Sequence, residues 1–82
     1  MTDTVESHVE VATKAVGIIA SILADPNGDR RRERGNHAAA CARAAAVASR
    51  QVATTSPTRQ ALRAAEVVEN LASSAETMAA LL

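Results

Sequence analysis

The chain has 82 residues, of which 48% are hydrophobic and 22% charged, which excludes a disordered protein and predicts one small globular domain over residues 1–82. Nine basic and nine acidic side chains give a formal net charge of zero, so we expect no nucleic-acid or membrane partner. Aromatic residues are absent and twenty residues are alanine, so any core is built mainly from small side chains.

The composition also indicates the compartment. A single cysteine excludes a disulfide within the chain and favours a reducing environment. The first residues are acidic and polar, unlike the cationic start of a signal peptide. The longest uncharged apolar run, Ala15–Ala24, is about half a bilayer span. We therefore expect a soluble, cytoplasmic protein.

Two stretches rich in turn residues divide the chain into three helical segments. "DPNGD" at positions 25–29 contains a proline, an Asn-Gly turn and a possible N-cap in Asp29. "TTSPT" at positions 54–58 offers Ser56 as an N-cap and Pro57 as the first helical residue. The helices are predicted at about residues 3–24, 29–54 and 57–82. Short connections make neighbours antiparallel, so we expect an all-α, up-down-up three-helix bundle that is alanine-rich and close-packed.

The first predicted helix has two apolar seams. One consists of Val5, Val9, Ala12, Val16, Ile19 and Leu23, and the other of His8, Val11, Ala15, Ile18 and Ile22. One seam is enough to cover a neighbour in the same chain. We therefore assign the second seam, in particular Val11, Ala15, Ile18 and Ile22, to contacts with another subunit.

The second predicted helix is small and apolar on nearly every side. From Ala38 to Ala48 its only charged residue is Arg43. A helix of this kind is usually buried all round, and two neighbours in a three-helix monomer cannot cover it. We expect a second copy of the chain to contact Cys41, Ala44, Ala45 and Ala48. The alternative is that the alanines serve only helix propensity.

The third predicted helix has an ordinary amphipathic pattern. Its apolar seam is Ala61, Ala64, Val68, Leu71, Ala75, Met78 and Leu82, opposite a polar face. Between the first two helices, "DRRRER" at positions 29–34 could bind phosphate. We favour a structural role, in which arginine stems cover apolar residues and their heads meet the carboxyl ends of helices.

The two histidines are the candidate ligands. Folding helix 2 back on helix 1 pairs positions that sum to about 54, which places His8 opposite Ala46 and His37 opposite Gly17. A histidine facing small residues could ligate a metalloporphyrin, so His8 and His37 are cofactor-binding candidates in an alternative interpretation. His37 and Cys41 share a helix face, but two ligands do not make a metal site within one chain.

The two connections, "ADPNGD" and "TTSPT", join helices of nearly equal length, and with them the chain resembles an idealised, computationally designed helical bundle. That resemblance implies that no natural substrate need exist. Nothing in the sequence places a nucleophile beside a base, and we expect no enzyme activity and no cofactor. The leading hypothesis is a structural module that forms a symmetric homo-oligomer through helices 1 and 2.

Overall fold

Three helices form an antiparallel bundle in the computed structural model, which describes the backbone of residues 3–82 and the side chains of residues 6–82. Helix α1 spans Asp3–Ala24, α2 spans Arg31–Thr55 and α3 spans Arg59–Ala79. All three pairs of helices pack against each other, and the bundle measures 44 × 19 × 14 Å. The predicted three-helix fold is confirmed.

The connection between α1 and α2 is longer than the sequence indicates. The Asp25 carboxylate accepts a hydrogen bond from the backbone N–H of Asn27 at 3.2 Å, and Arg30 adopts a left-handed conformation with φ of 51°. Arg30 occupies the N-cap position and its side chain makes no capping hydrogen bond. The prediction of Asp29 as the N-cap is therefore wrong, and α2 begins two residues later than expected.

The α2–α3 connection is also displaced from its predicted position. The Thr58 hydroxyl accepts a hydrogen bond from the backbone N–H of Ala61 at 3.0 Å and caps α3. The backbone N–H of Ser56 instead donates to the carbonyl of Val52 at 2.8 Å, which extends α2. The predicted Ser56 cap is wrong because α2 continues to the residue before Ser56. Pro57 then disfavours a helical conformation at Ser56.

The core consists almost entirely of methyl groups. Of the sixteen buried hydrophobic side chains in the described part of the chain, thirteen are alanine, and only Ile19 and Val68 are large and fully buried. Side chains this small allow helix axes to approach near the short end of the usual 8–10 Å range. Close contacts between backbones then replace the interdigitation of long side chains.

The buried faces differ in detail from the predicted seams. On α1 the buried line runs between the two seams. On α3 it keeps Ala61, Val68 and Ala75 of the predicted seam, but the buried residues between them are each one position later than predicted. The buried apolar residues of α1 are Ala12, Ala15, Ile19 and Ile22, and those of α3 are Ala61, Ala65, Val68, Ala72, Ala75 and Ala79. Consequently Ala64, Leu71 and Met78 of the predicted α3 seam are only half-buried.

The arginine-rich start of α2 packs against the ends of the other helices. Arg31 donates from Nε and Nη2 to the backbone carbonyl of Ile22, at 3.3 and 3.2 Å, near the carboxyl end of α1. The side chain of Leu82 occupies the space where a Cβ on Gly35 would lie. The structural interpretation of the arginine cluster is confirmed for Arg31, whose positive head meets the negative end of the α1 dipole.

Candidate association surface

Two large apolar side chains of α1 point toward water. Val11 is 41% exposed and Ile18 is 50% exposed. They are seven residues apart, or about two helical turns, so they project in nearly the same direction. Their exposure follows from the position of the buried line, which leaves one edge of the wide apolar arc of α1 uncovered.

Helix α2 contributes small apolar side chains beside this edge. Cys41 and Ala48 are half-buried and Ala44 is exposed. His8 lines one shallow depression with Ala48 and Val52, and Ile18 lines another with Arg34 in the first turn of α2. In an antiparallel pair of helices, these two depressions place Ile18 and Ala48 along the same groove. Val11 is two helical turns from Ile18, and Cys41 is two turns from Ala48, so by helical spacing they lie along the same groove. We call Val11, Ile18, Cys41, Ala44 and Ala48 the α1–α2 surface.

Three residues assigned to the interface from sequence do not belong to this surface. Ala15, Ile22 and Ala45 are 3%, 2% and 6% exposed, because neighbouring helices of the same chain cover them. That assignment was wrong: all three residues belong to the intramolecular core. Ala40, Ala44 and Val47 of α2 are exposed, which agrees with the expectation that two neighbouring helices of one chain cannot cover α2 on every side.

The groove on the other side of α2 is polar. Arg43 donates to both carboxylate oxygens of Glu76 at 3.0 and 2.6 Å, and Arg50 donates to those of Glu69 at 2.9 and 2.6 Å. These hydrogen bonds lower the pKa of Glu69 and of Glu76 below the ordinary range of a glutamate and raise the pKa of both arginines. Within residues 6–82 both ion pairs join α2 to α3, and none crosses the α1–α2 surface.

The structure does not bring the two candidate cofactor ligands together. His8 is half-buried beside Gln51, Val52 and Thr55, whereas His37 is exposed beside Cys41, far along α2. The Nε2 atom of His37 lies 3.7 Å from the Sγ atom of Cys41. No group of three or more metal-ligating side chains occurs among the described residues of one chain.

Sequence reasoning missed several exposed apolar side chains. Val47 is 53% exposed and lies between Arg43 and Arg50 on α2, while Leu62, Val67 and Leu81 are exposed on or after α3. Arg43 and Arg50 could have identified Val47 as a surface residue, because Val47 lies on the same side of α2 as these two charged residues. These residues are separate from the α1–α2 surface.

Helix α1 is the most apolar of the three helices. Its segment Glu6–Ala24 has 19 residues and a mean hydropathy of 1.3, and 22% of it is buried in the bundle. By length and composition alone this segment could cross a membrane. The charged residues Glu10 and Lys14 lie within it and are exposed.

Comparisons with models of protein families, with curated proteins and with solved structures find no match to this chain.

Proposed function

We propose that the protein is a structural self-assembly module that forms a symmetric homo-oligomer through the α1–α2 surface and has no catalytic activity. The observation that carries this proposal is the stripe of apolar side chains that α1 and α2 leave uncovered, with Val11, Ile18 and Ala44 exposed and Cys41 and Ala48 half-buried. Apolar side chains in water favour association by about 25 cal/mol for each Å² that a partner covers.

The shape of the bundle supports association between copies. The accessible surface is 5265 Å². A compact monomer of this mass would expose about 4,700 Å². A thin rod of three helices exposes more surface than a sphere, and side-by-side packing of rods removes that surface from water. Two-fold symmetry lets the same patch on both copies form one interface.

The chemistry of the surface favours a second copy over a charged partner. The stripe has no ion pair across it, and the chain as a whole has zero formal net charge. Methyl-sized side chains at Ala44 and Ala48 allow a second helix to approach closely. The acidic side chains Glu69 and Glu76 are held by arginines on the opposite groove, away from either histidine.

The alternative function, a module that holds a metalloporphyrin near His8, has less support. His8 borders an open depression with Ala48 and Val52, but His37 lies too far along the groove to share a ligand with it. One histidine would then be the only axial ligand from the chain. A titration with haem tests this function: a shift of the Soret band that His8→Gln abolishes would favour it over self-assembly.

We also propose that the protein works in an aqueous compartment such as the cytoplasm. Exposed Glu10 and Lys14 in α1 would be costly to place in a bilayer. Flotation with neutral phosphatidylcholine vesicles tests this point, and we expect the protein to stay in the lipid-free fraction.

The substitution Ile18→Glu tests the self-assembly proposal directly. In an interface the new carboxylate would be desolvated without a partner, whereas in a free subunit it would remain in water. We expect the oligomer to dissociate, with helical circular dichroism retained, in light scattering coupled to size exclusion.

Val67→Glu is the matched control, because Val67 is similarly exposed but lies on α3 outside the α1–α2 surface. It should leave the mass unchanged. A wild-type mass of 8.5 kDa at micromolar concentration would refute the proposal. So would an Ile18→Glu variant that keeps both the mass and the stability of the wild type.

A further inference from the structure

His37 and Cys41 have the spacing of two ligands on one metal ion. They are one helical turn apart, and His37 Nε2 lies 3.7 Å from Cys41 Sγ. In a tetrahedral zinc site the bonds are about 2.3 Å to sulfur and about 2.0–2.1 Å to nitrogen, which places those ligand atoms about 3.6 Å apart. The distance between the two ligand atoms therefore matches that of two ligands on one tetrahedral ion.

The pair is accessible from outside the bundle. His37 is exposed and Cys41 is half-buried, and Cys41 belongs to the α1–α2 surface. The neighbouring outward positions are Ala40 and Ala44, which are both exposed and carry only methyl groups. A second α2 helix could approach here within about 8–10 Å, the usual distance between packed helices.

One chain supplies half of a complete ligand set. Structural zinc sites have four protein ligands, commonly two cysteines and two histidines. In the described part of the chain no third histidine, cysteine or carboxylate joins the pair. Two copies related by a two-fold axis would supply four ligands of the right types.

We propose that a divalent cation of the zinc class binds between two copies of the chain, with His37 and Cys41 of each copy as its ligands. This proposal rests on the proposed self-assembly and adds a ligand that would strengthen it. Each cysteine thiol loses its proton to solvent and binds as a thiolate, and each histidine binds as the neutral imidazole through Nε2. A metal that binds only the paired form must stabilise that form by mass action.

A cobalt titration of the full chain under reducing conditions tests the proposal. Co²⁺ reports tetrahedral geometry and thiolate ligation through its visible and near-ultraviolet absorption, and Zn²⁺ should displace it. We expect saturation at one ion for two chains and release of two protons for each ion. Zinc should lower the dissociation constant of the dimer by about tenfold or more.

The variants Cys41→Ala and His37→Gln should lose the cobalt absorption while keeping helical circular dichroism. His8→Gln is the matched control, since it removes the other histidine of the same groove. It should bind cobalt as the wild type does. Loss of binding in His8→Gln, or intact binding in either of the other variants, overturns the assignment of ligands.

The mass of the protein with and without zinc separates this proposal from the proposed function. An oligomer that binds no cobalt overturns the metal site alone, and the 3.7 Å contact is then a thiol–imidazole hydrogen bond within one chain. A monomer that pairs only with zinc supports the metal site and overturns metal-free assembly. A protein that stays monomeric with and without zinc overturns both proposals. This holds even if each single chain binds one ion.

Discussion

The two flanks of α2 meet their neighbours in opposite ways. Toward α3, Arg43 and Arg50 each bind a glutamate through two hydrogen bonds. Toward α1, Cys41 and Ala48 lie along a groove that no ion pair of the described residues crosses. The α3-facing flank of α2 is therefore held by ion pairs. The α1-facing flank leaves apolar side chains uncovered and has no ion pair among the described residues.

This difference suggests how an alanine-rich helix can have two functions. The core side of α2 needs only methyl groups, because the backbones of α1 and α3 approach closely. After the arginine-rich start of α2, its charged residues Arg43 and Arg50 both lie on one flank, where the ion pairs help to fix the position of α3. The remaining flank is free to associate, and the proposed interface lies there.

The substitution Ala45→Leu should have the largest effect on stability and sharpens the boundary between core and surface. Ala45 is 6% exposed, so a leucine would overfill a close contact between helices. Overpacking of this kind typically costs about 1–3 kcal/mol. We expect a lower free energy of unfolding in urea denaturation.

Ala44→Leu is the matched control, one residue away and exposed. It should leave the unfolding of the single chain nearly unchanged but alter the mass of the oligomer, because Ala44 lies on the α1–α2 surface. If the two variants are destabilised equally, the distinction between core and surface on α2 is wrong.

The sequence predicted the number and order of the helices because two stretches rich in turn residues separate them clearly. It could not decide which part of the α1 apolar arc faces inward. Both seams were apolar, and the buried line runs between them, through Ala15 and Ile22 as well as Ile19. The positions of α2 and α3 together decide which part of α1 faces inward, so this cannot be read from the periodicity of α1 alone.

The pattern on α2 was still less informative. Ser49 is buried while Ala44 is exposed, which reverses the order that hydropathy would suggest. The Ser49 hydroxyl has no hydrogen-bond partner among the described residues. Only Arg43 and Arg50 indicated how α2 is oriented, since their charged groups must reach water. They correctly indicated that Ala45, roughly opposite Arg43, is close to another helix.

The predicted register between α1 and α2 holds near their connection but not at the far end of the two helices. Arg31 donates to the Ile22 carbonyl, close to the predicted pairing. The same pairing placed His8 opposite Ala46, whereas His8 lies beside Ala48, Gln51 and Val52. The pairing also placed His37 opposite Gly17, but no side chain packs within 4 Å of the position where a Gly17 Cβ would lie.

Acidification should weaken the α2–α3 flank, where both ion pairs lie. The hydrogen bonds from Arg43 and Arg50 lower the pKa of Glu76 and of Glu69 in the folded state. Their contribution is therefore present above the ordinary glutamate pKa of about 4.3 and is lost as the pH falls through the lower folded values.

Urea unfolding at pH 7 and pH 3 measures this loss, which should be smaller than the effect of Ala45→Leu. Other carboxylates titrate in the same range, so the double variant Glu69→Gln/Glu76→Gln is the control. The difference between wild type and double variant should shrink at pH 3. A difference that is equal at the two pH values would show that the ion pairs contribute nothing.

The smallest expected effect is that of Glu76→Gln alone. The side chains of Arg43 and Glu76 are 40% and 47% exposed, so solvent screens most of their attraction. Exposed ion pairs are typically worth about 0–1 kcal/mol, and we expect a loss in the lower half of that range. The loss should decline further in 1 M salt, where the screening length is about 3 Å. Glu76 lies on the flank opposite the α1–α2 surface, so the mass of the oligomer should not change. A variant that dissociates would show that the polar flank also takes part in association, and the contrast between the two sides of α2 would then fail.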